Sequence, residues 1–171
     1  MKTWSAFKSL GRIGIMATSL FLAGCSGDDD NGGGGDTPSG FHVNAKINGV
    51  SYGNSEYFEP TAVIASNTLM IQSSDNSGNS IQIQISNYDG PGTYESGNNN
   101  VLNGYINYLD MGETVGQYTS YTSVRGDGVV EITEVSDTEV RGTFSATAYE
   151  NVENATNSVE ITEGTFRAEI Q

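Results

Sequence analysis

The alternation of apolar and polar residues is the feature that most restricts the fold of this chain. In Ile81-Gln82-Ile83-Gln84-Ile85, three isoleucines face one way and two glutamines face the other. This pattern is typical of an antiparallel strand with one face on the core and one face in water. No window repeats apolar residues at the spacing of a helix face over three turns. The sequence therefore predicts a single all-β domain over residues 41–171.

Turn residues between the alternating runs predict how the strands connect. Asn48-Gly49 is the preferred pair for a type I′ turn, because both positions need positive φ, so residues 41–53 are expected to form a hairpin. Ser66-Asn67 is expected to join a second hairpin. Apolar residues change from odd to even positions across Glu163-Gly164. We therefore expect a bulge or tight turn at Gly164, which absorbs one extra residue.

Two further stretches are predicted to lie outside strands because they are rich in loop-forming residues. A polar loop is expected from Ser96 to Asn100, and a turn is expected at Arg125-Gly126-Asp127-Gly128. With these breaks, the domain has about eight to ten antiparallel strands in hairpin order. An antiparallel β-sandwich and an up-and-down β-barrel both fit this pattern.

Tyrosines are frequent in two of the predicted strands. Tyr105 and Tyr108 are three residues apart, as are Tyr118 and Tyr121. Residues at that spacing point to opposite faces of a strand. We therefore expect no continuous aromatic platform on either strand.

The first 24 residues have the organisation of a secretory signal peptide. Three cations precede the uncharged run 13–22, which is about half the roughly 20 residues that a transmembrane helix needs. Leu22-Ala23-Gly24-Cys25 matches the lipobox of bacterial lipoproteins. This resemblance implies cleavage before Cys25 and lipidation of that cysteine, and an ordinary signal peptide is the alternative. Cys25 is the only cysteine, so the domain has no internal disulfide.

The residues that follow the cysteine extend this interpretation. Ser26, Asp28, Asp29 and Asp30 resemble the surface-export signal of lipoproteins from the Bacteroidota, and a solvated acidic linker is the alternative. Glycines dominate the next stretch, so residues 25–40 are predicted to be a lipidated, flexible tether. The resemblance implies an outer-membrane protein that is held by lipid and faces the cell exterior.

The charge beyond residue 24 excludes two classes of partner. This part of the chain has 21 acidic residues against four basic ones, Lys46, Arg125, Arg141 and Arg167, which gives a side-chain charge of −17. Such a surface repels nucleic acid and anionic lipid headgroups, so the only membrane contact we expect is through the lipid anchor. Solubility of an exposed protein is the simplest explanation of the charge.

The residue inventory gives little support for catalysis. His42 is the only histidine, which excludes a zinc site with two histidines, and we expect it to be solvated on the polar face of the first strand. A Ser-His-Asp triad would have to use it. The pairs Glu131/Glu134 and Glu150/Glu153 could be named as glycosidase carboxylates, but nothing distinguishes them from surface acids. We expect neither an enzyme nor a bound cofactor.

Two stretches have the composition of binding motifs. Asp75, Asn76 and Asn79 offer oxygens to calcium, but their loop lacks the spacing of a known calcium loop. Arg125-Gly126-Asp127 has the composition of an integrin-recognition tripeptide, although a turn needs the same glycine and aspartate. Neither motif predicts a site by itself.

A tripeptide of glycine, threonine and an aromatic residue occurs three times, ending at Tyr94, Phe144 and Phe166. With the opening segment from Phe41 to Gly49, these motifs resemble a group of small, uncharacterised lipoprotein domains of the Bacteroidota. The resemblance covers nearly all of residues 41–171. It implies the fold and the cellular location, and it implies no catalytic residue.

Three functions therefore remain. The first is a cell-surface binding, adhesion or accessory module that holds a glycan or a protein through polar loops and exposed tyrosines. A lipocalin-like carrier of a small apolar ligand is the alternative, and it requires a cavity inside a barrel. A purely structural lipoprotein would have a filled core and no pocket.

Overall fold

The computed structural model describes residues 40–97, 104–114 and 116–171. These residues form ten strands, all within the compact unit Asp36–Gln171. The strands are β1 (His42–Ile47), β2 (Val50–Gly53), β3 (Thr61–Ala65), β4 (Thr68–Ser74), β5 (Ser80–Ser86), β6 (Gly92–Gly97), β7 (Tyr105–Asp110), β8 (Thr119–Val135), β9 (Glu139–Glu150) and β10 (Ser158–Ile170). In the described part of the chain, no helix is long and apolar enough to span a membrane. Cys25 and the export residues Ser26, Asp28, Asp29 and Asp30 lie outside the described residues.

Seven of the strands close into a barrel. The order is β3, β4, β5, β7, β8, β9 and β10, and β10 returns to β3. All neighbouring pairs in this ring are antiparallel except the last, in which Glu169 and Ile170 pair in parallel with Thr61 and Ala62. The all-β prediction is confirmed, with the barrel as the architecture. The expected hairpin order is wrong, because β5 pairs with β7 and the closing pair is parallel.

The remaining strands attach to the two longest ones. β1 pairs with β10 over residues 161–167, beside the short closing contact, and β2 pairs with β1. β8 pairs first with β7 through residues 119–122 and then with β6 through residues 127–132. Each long strand therefore divides one of its edges between two neighbours.

The predicted turn at Arg125-Gly126-Asp127-Gly128 is wrong. These residues lie within β8, in an irregularity of its pairing with β9 that spans residues 122–127, where β8 also changes its other neighbour from β7 to β6. A Cβ on Gly126 would collide with the carbonyl oxygen of Thr147, and one on Gly128 would collide with the Ser96 side chain. The two glycines allow the neighbouring strands to approach closely, and they do not reverse the chain. Ser96 is itself in β6, so the predicted loop there is also wrong up to residue 97, and its remainder lies outside the described residues.

Both predicted hairpin turns are confirmed. Asn48 and Gly49 have φ of 50° and 81°, as a type I′ turn requires, and join β1 to β2. Ser66 and Asn67 have φ of 50° and 59° and join β3 to β4. The isoleucines at 81, 83 and 85 are fully buried, as their alternation predicts.

The predicted bulge at Gly164 is confirmed as well. Pairing of β10 with β9 is irregular between Ile161 and Gly164, and Glu163 has a φ of 52°. Ile161 before the irregularity and Phe166 after it are both buried. The extra residue therefore keeps both halves of β10 facing the core.

Around this bulge, two glycines and two phenylalanines alternate across β9 and β10. Gly142 pairs with Phe166, and Gly164 pairs with Phe144. A Cβ on either glycine would press into the ring opposite, so each ring covers the glycine of the other strand. We call this arrangement the glycine–phenylalanine crossing. It explains two of the three repeated tripeptides as a packing device.

Three tyrosines form a column inside the barrel. The ring of Tyr108 meets Tyr52 edge-on at 6.4 Å and stacks on Tyr121 at 6.2 Å. The Tyr52 hydroxyl bonds to Ser73 Oγ at 2.9 Å. Burial raises the pKa of both Tyr52 and Tyr108 to about 12, so these phenols are neutral at physiological pH. Tyr105 lies half-buried on the opposite face from Tyr108, as predicted.

Candidate functional site

Hydrogen bonds connect four loops of the domain with one another and with the adjoining strands. Ser55 Oγ donates to Asn76 Oδ1 at 2.6 Å, Met111 N donates to Asn79 Oδ1 at 2.9 Å, and Asn151 N donates to the carbonyl of Ser120, at the start of β8, at 2.7 Å. The loops concerned are residues 54–60, 75–79, 111–118 (of which residue 115 is not described) and 151–157. We call them together the loop end.

The loop end exposes large apolar side chains. Tyr57 is 78% exposed, Tyr118 is 67% exposed, Phe58 is 66% exposed and Val152 is 49% exposed. Single exposed apolar residues are common on protein surfaces, but Tyr57 and Phe58 are adjacent. Two neighbouring rings in water indicate a contact surface.

The loop that carries Tyr57 and Phe58 is held in place at both ends. Ser55 is 1% exposed, and its Oγ donates to Asn76 Oδ1 at 2.6 Å and accepts from Tyr57 N at 3.1 Å. Phe58 N donates to the carbonyl of Ser55 at 3.3 Å. Pro60 is fully buried at the other end, and its carbonyl accepts from Glu169 N. The two rings are therefore exposed on a fixed turn, which lowers the entropy lost when a ligand binds.

Beside this loop lies an open groove of about 390 Å³ at the loop end of β3, β4 and β5, and the buried Ser73 and Ile81 contribute to its lining. Thr61, Gln72 and Gln82 are cross-strand neighbours in one row, and Ser74 and Ser80 face each other in another. Phe58 and Glu59 form the loop side of the groove. The groove thus combines an aromatic ring, amides, hydroxyls and one carboxylate.

The calcium-ligand candidates are instead used to fix the neighbouring turn. Asp75 Oδ1 accepts from Ser77 N at 2.8 Å and from Asn79 N at 2.9 Å, and Asp75 Oδ2 accepts from Asn79 Nδ2 at 2.8 Å. The side-chain oxygens of Asn76 and Asn79 accept from Ser55 and Met111. These oxygens connect the loops to one another. Across residues 40–97, 104–114 and 116–171, no group of three or more His, Cys, Asp or Glu side chains is placed to hold a metal ion.

His42 does not occupy the solvated position predicted for it. Its side chain is 8% exposed, and Nδ1 lies 3.0 Å from the carbonyl oxygen of Gly40. The chain leaving β2 passes beside this part of β1, where Asn54 N donates to the Val43 carbonyl and Asn54 Oδ1 accepts from Val43 N. The prediction failed because it treated the start of β1 as free of neighbours. His42 is therefore a buried residue of the packed domain and is not solvated.

The named carboxylates are distributed along exposed strands and loops. Glu134 Oε2 lies 3.4 Å from Arg141 Nη1, and Glu150 Oε2 accepts from Asn157 Nδ2 at 3.0 Å. Glu131 and Glu153 are exposed. These contacts are ordinary surface pairs. Of the integrin-like tripeptide, Arg125 Nη1 donates to the carbonyl of Val152 at 2.6 Å, so the arginine is engaged within the domain.

Three of the four basic residues form ion pairs. Lys46 Nζ lies 2.7 Å from Glu163 Oε1, and Arg141 and Arg167 both contact Glu139. Hydrogen bonds from Arg167, and then from Arg141, lower the pKa of Glu139. These three positive side chains are therefore paired with carboxylates of the same domain. None of these cations lines the groove beside Phe58.

Tyr57, Phe58 and the groove were not predicted from the sequence as a site. A signal was available in Glu56-Tyr57-Phe58-Glu59-Pro60, where two adjacent aromatic residues interrupt the alternation and acids flank them. Such a run places at least one ring away from the core whichever face is buried. The amides of the groove come from other strands, so only the fold brings them to the rings.

Comparison with known proteins gives a family and no function. No curated protein and no solved structure matches the chain. Residues 41–168, which include all but the last two residues of the described strands, match the family described as "Domain of unknown function (DUF6252)". The chain therefore belongs to the DUF6252 family.

Proposed function

We propose that this protein is a lipid-anchored lipoprotein of the outer membrane that faces the cell exterior and acts as a binding module. The observation that carries the binding role is the fixed loop 54–60, which exposes Tyr57 and Phe58 beside a groove of polar side chains. Exposed aromatic side chains with convergent polar groups are the usual composition of a binding surface. Adhesion and service as an accessory subunit both use such a surface.

The location is supported by the sequence. Leu22-Ala23-Gly24-Cys25 supplies the site of lipidation at Cys25, and Ser26 with Asp28, Asp29 and Asp30 supplies the surface-export signal. Residues 25–40 then act as a tether that keeps the barrel clear of the lipid. This assignment places the protein among surface lipoproteins like those of the Bacteroidota.

Two measurements on cells test the location. Mass spectrometry of the N-terminal peptide should find acyl chains on Cys25, and Cys25→Ser should release the protein from the membrane fraction. Protease added to intact cells should remove the barrel. A protein that stays protected until the cells are lysed would contradict the surface location.

The carrier of a small apolar ligand has less support. Inward-facing residues of the described strands are buried against one another, and the tyrosine column occupies part of the barrel interior. A carrier needs an enclosed apolar cavity. Native mass spectrometry of the protein purified from its own host tests this alternative, and a co-purifying apolar molecule would revive it.

A further inference from the structure

The groove beside Phe58 has the chemistry to select one class of ligand. The described residues that line it include one carboxylate, Glu59, and no cation. The whole domain carries a large negative charge. An anionic ligand would be repelled by this site, because nothing in the groove neutralises it.

The groove is also unsuited to a purely apolar ligand or to strand addition. An apolar ligand would take the amides of Gln72 and Gln82 out of water with only weak partners, which costs free energy for each polar group left poorly satisfied. An added peptide strand needs free backbone groups. Here the backbones of β3, β4 and β5 pair with one another along the groove, so only side chains are available.

The two glutamine amides are available to a ligand. Gln72 Nε2 and Gln82 Nε2 both donate to the thioether of Met70, at 3.4 and 3.5 Å. A thioether is a weak acceptor, and these bonds are easily exchanged for bonds to hydroxyl oxygens. The amides also lie side by side, because the two glutamines are cross-strand partners. They present neighbouring amide groups, of which Gln82 Oε1 also accepts a long bond from the Tyr105 hydroxyl at 3.5 Å.

We propose that this groove binds an uncharged oligosaccharide. The apolar face of one sugar ring stacks on Phe58, and its hydroxyls exchange hydrogen bonds with Gln72, Gln82 and the serine hydroxyls of the groove. A sugar hydroxyl donates and accepts, as do the amide and hydroxyl groups that it meets. The inference rests on the proposed binding function and specifies its ligand.

The test uses the unit Asp36–Gln171, which contains all ten strands. Calorimetry would measure its binding to neutral gluco-, manno- and galacto-oligosaccharides, with polygalacturonate and heparin fragments as acidic comparisons. We expect binding of at least one neutral member, and no binding of the acidic ones. Phe58→Ala should raise the dissociation constant about tenfold or more, and Phe58→Tyr should restore most of the affinity.

Tyr118→Ala is the matched control. Tyr118 is 67% exposed against 66% for Phe58, but it lies on the 111–118 loop and does not line the groove beside Phe58. Its affinity for the sugar should equal that of the unchanged protein. Urea unfolding of each variant would show that the barrel is intact, so lost binding would not be attributed to lost folding.

Several results would overturn the inference. Failure of every neutral sugar to bind would do so, as would equal affinity in Phe58→Ala and Tyr118→Ala. Binding of acidic polysaccharides or of proteins alone would reject the sugar class while leaving the binding function in place. A barrel that protease cannot reach on intact cells would instead reject the surface location, whether or not the sugars bind.

Discussion

Aromatic side chains have opposite roles in two regions of this domain. In the glycine–phenylalanine crossing, Phe144 and Phe166 are buried, and each ring covers a glycine of the neighbouring strand. On loop 54–60, Tyr57 and Phe58 extend into water from a turn that buried Ser55 and Pro60 hold in place. The first pair stabilises the fold, and the second pair is exposed to solvent, as our binding proposal requires. Burial and support, rather than residue type, separate the rings of the core from the exposed ones.

The largest effect should come from removing a ring of the crossing. Phe166→Ala and Phe144→Ala should each lower the free energy of unfolding by about 3–5 kcal/mol, because each leaves a cavity and uncovers a glycine. Phe58→Ala should change it by less than about 0.5 kcal/mol, since that ring is mostly in water already. Urea unfolding followed by circular dichroism measures all three. Similar losses for Phe58→Ala and Phe166→Ala would remove the distinction between the two regions.

A smaller effect should follow from adding a methyl group within the crossing. Gly164→Ala places a Cβ against both the carbonyl oxygen and the ring of Phe144, and should cost about 1–3 kcal/mol by overpacking. In a Phe144→Leu background the ring's share of this cost should be relieved, while the contact with the carbonyl oxygen remains. A double-mutant cycle measures the difference. Equal costs in both backgrounds would show that the ring is not what excludes the methyl group.

Removing the support of the exposed loop should lower the free energy of unfolding by a smaller amount. Ser55→Ala removes the bond to Asn76 and the acceptor for Tyr57 N, and should cost about 1–2 kcal/mol. If the loop is preorganised by these bonds, Ser55→Ala should also weaken ligand binding without touching the groove. Ser145→Ala, on an exposed position of β9, is the control for stability. Unchanged affinity in Ser55→Ala would contradict preorganisation.

The tyrosine column should make the stability of the domain depend on pH in the alkaline range. Tyr52 and Tyr108 have a pKa of about 12 in the folded protein against about 10 unfolded, so the unfolded chain loses protons first as the pH rises. Their contribution is complete below pH 10 and is lost between about pH 10 and pH 12. The phenolate absorbance of these two residues, taken as the difference from Tyr52→Phe and Tyr108→Phe, should therefore appear together with unfolding, and Tyr108→Phe should flatten this part of the stability profile. Titration of both phenols near pH 10 in a folded protein would contradict the assignment.

Local features were predictable from the sequence, and long-range ones were not. Alternation gave the isoleucine strand and the bulge at Gly164, and Asn48-Gly49 gave its hairpin, because each depends on neighbours in the chain. The turn predicted at Arg125–Gly128 failed because glycine has two uses, and the choice depends on Thr147 and Ser96 in other strands. Pairing of β5 with β7, and of β10 with β3, also depends on distant partners. The groove could not be predicted for the same reason, since loop 54–60 and three strands form it together.

The position of β10 has a consequence for the order of folding. This strand pairs with β1, β3 and β9, and the barrel closes only through Glu169 and Ile170. While the ribosome is still making the first nine strands, the first hairpin lacks a partner and the ring stays open. Contacts this distant in sequence form slowly. We therefore expect the ring to close only after β10 has been made, because this strand supplies the pairing with β3.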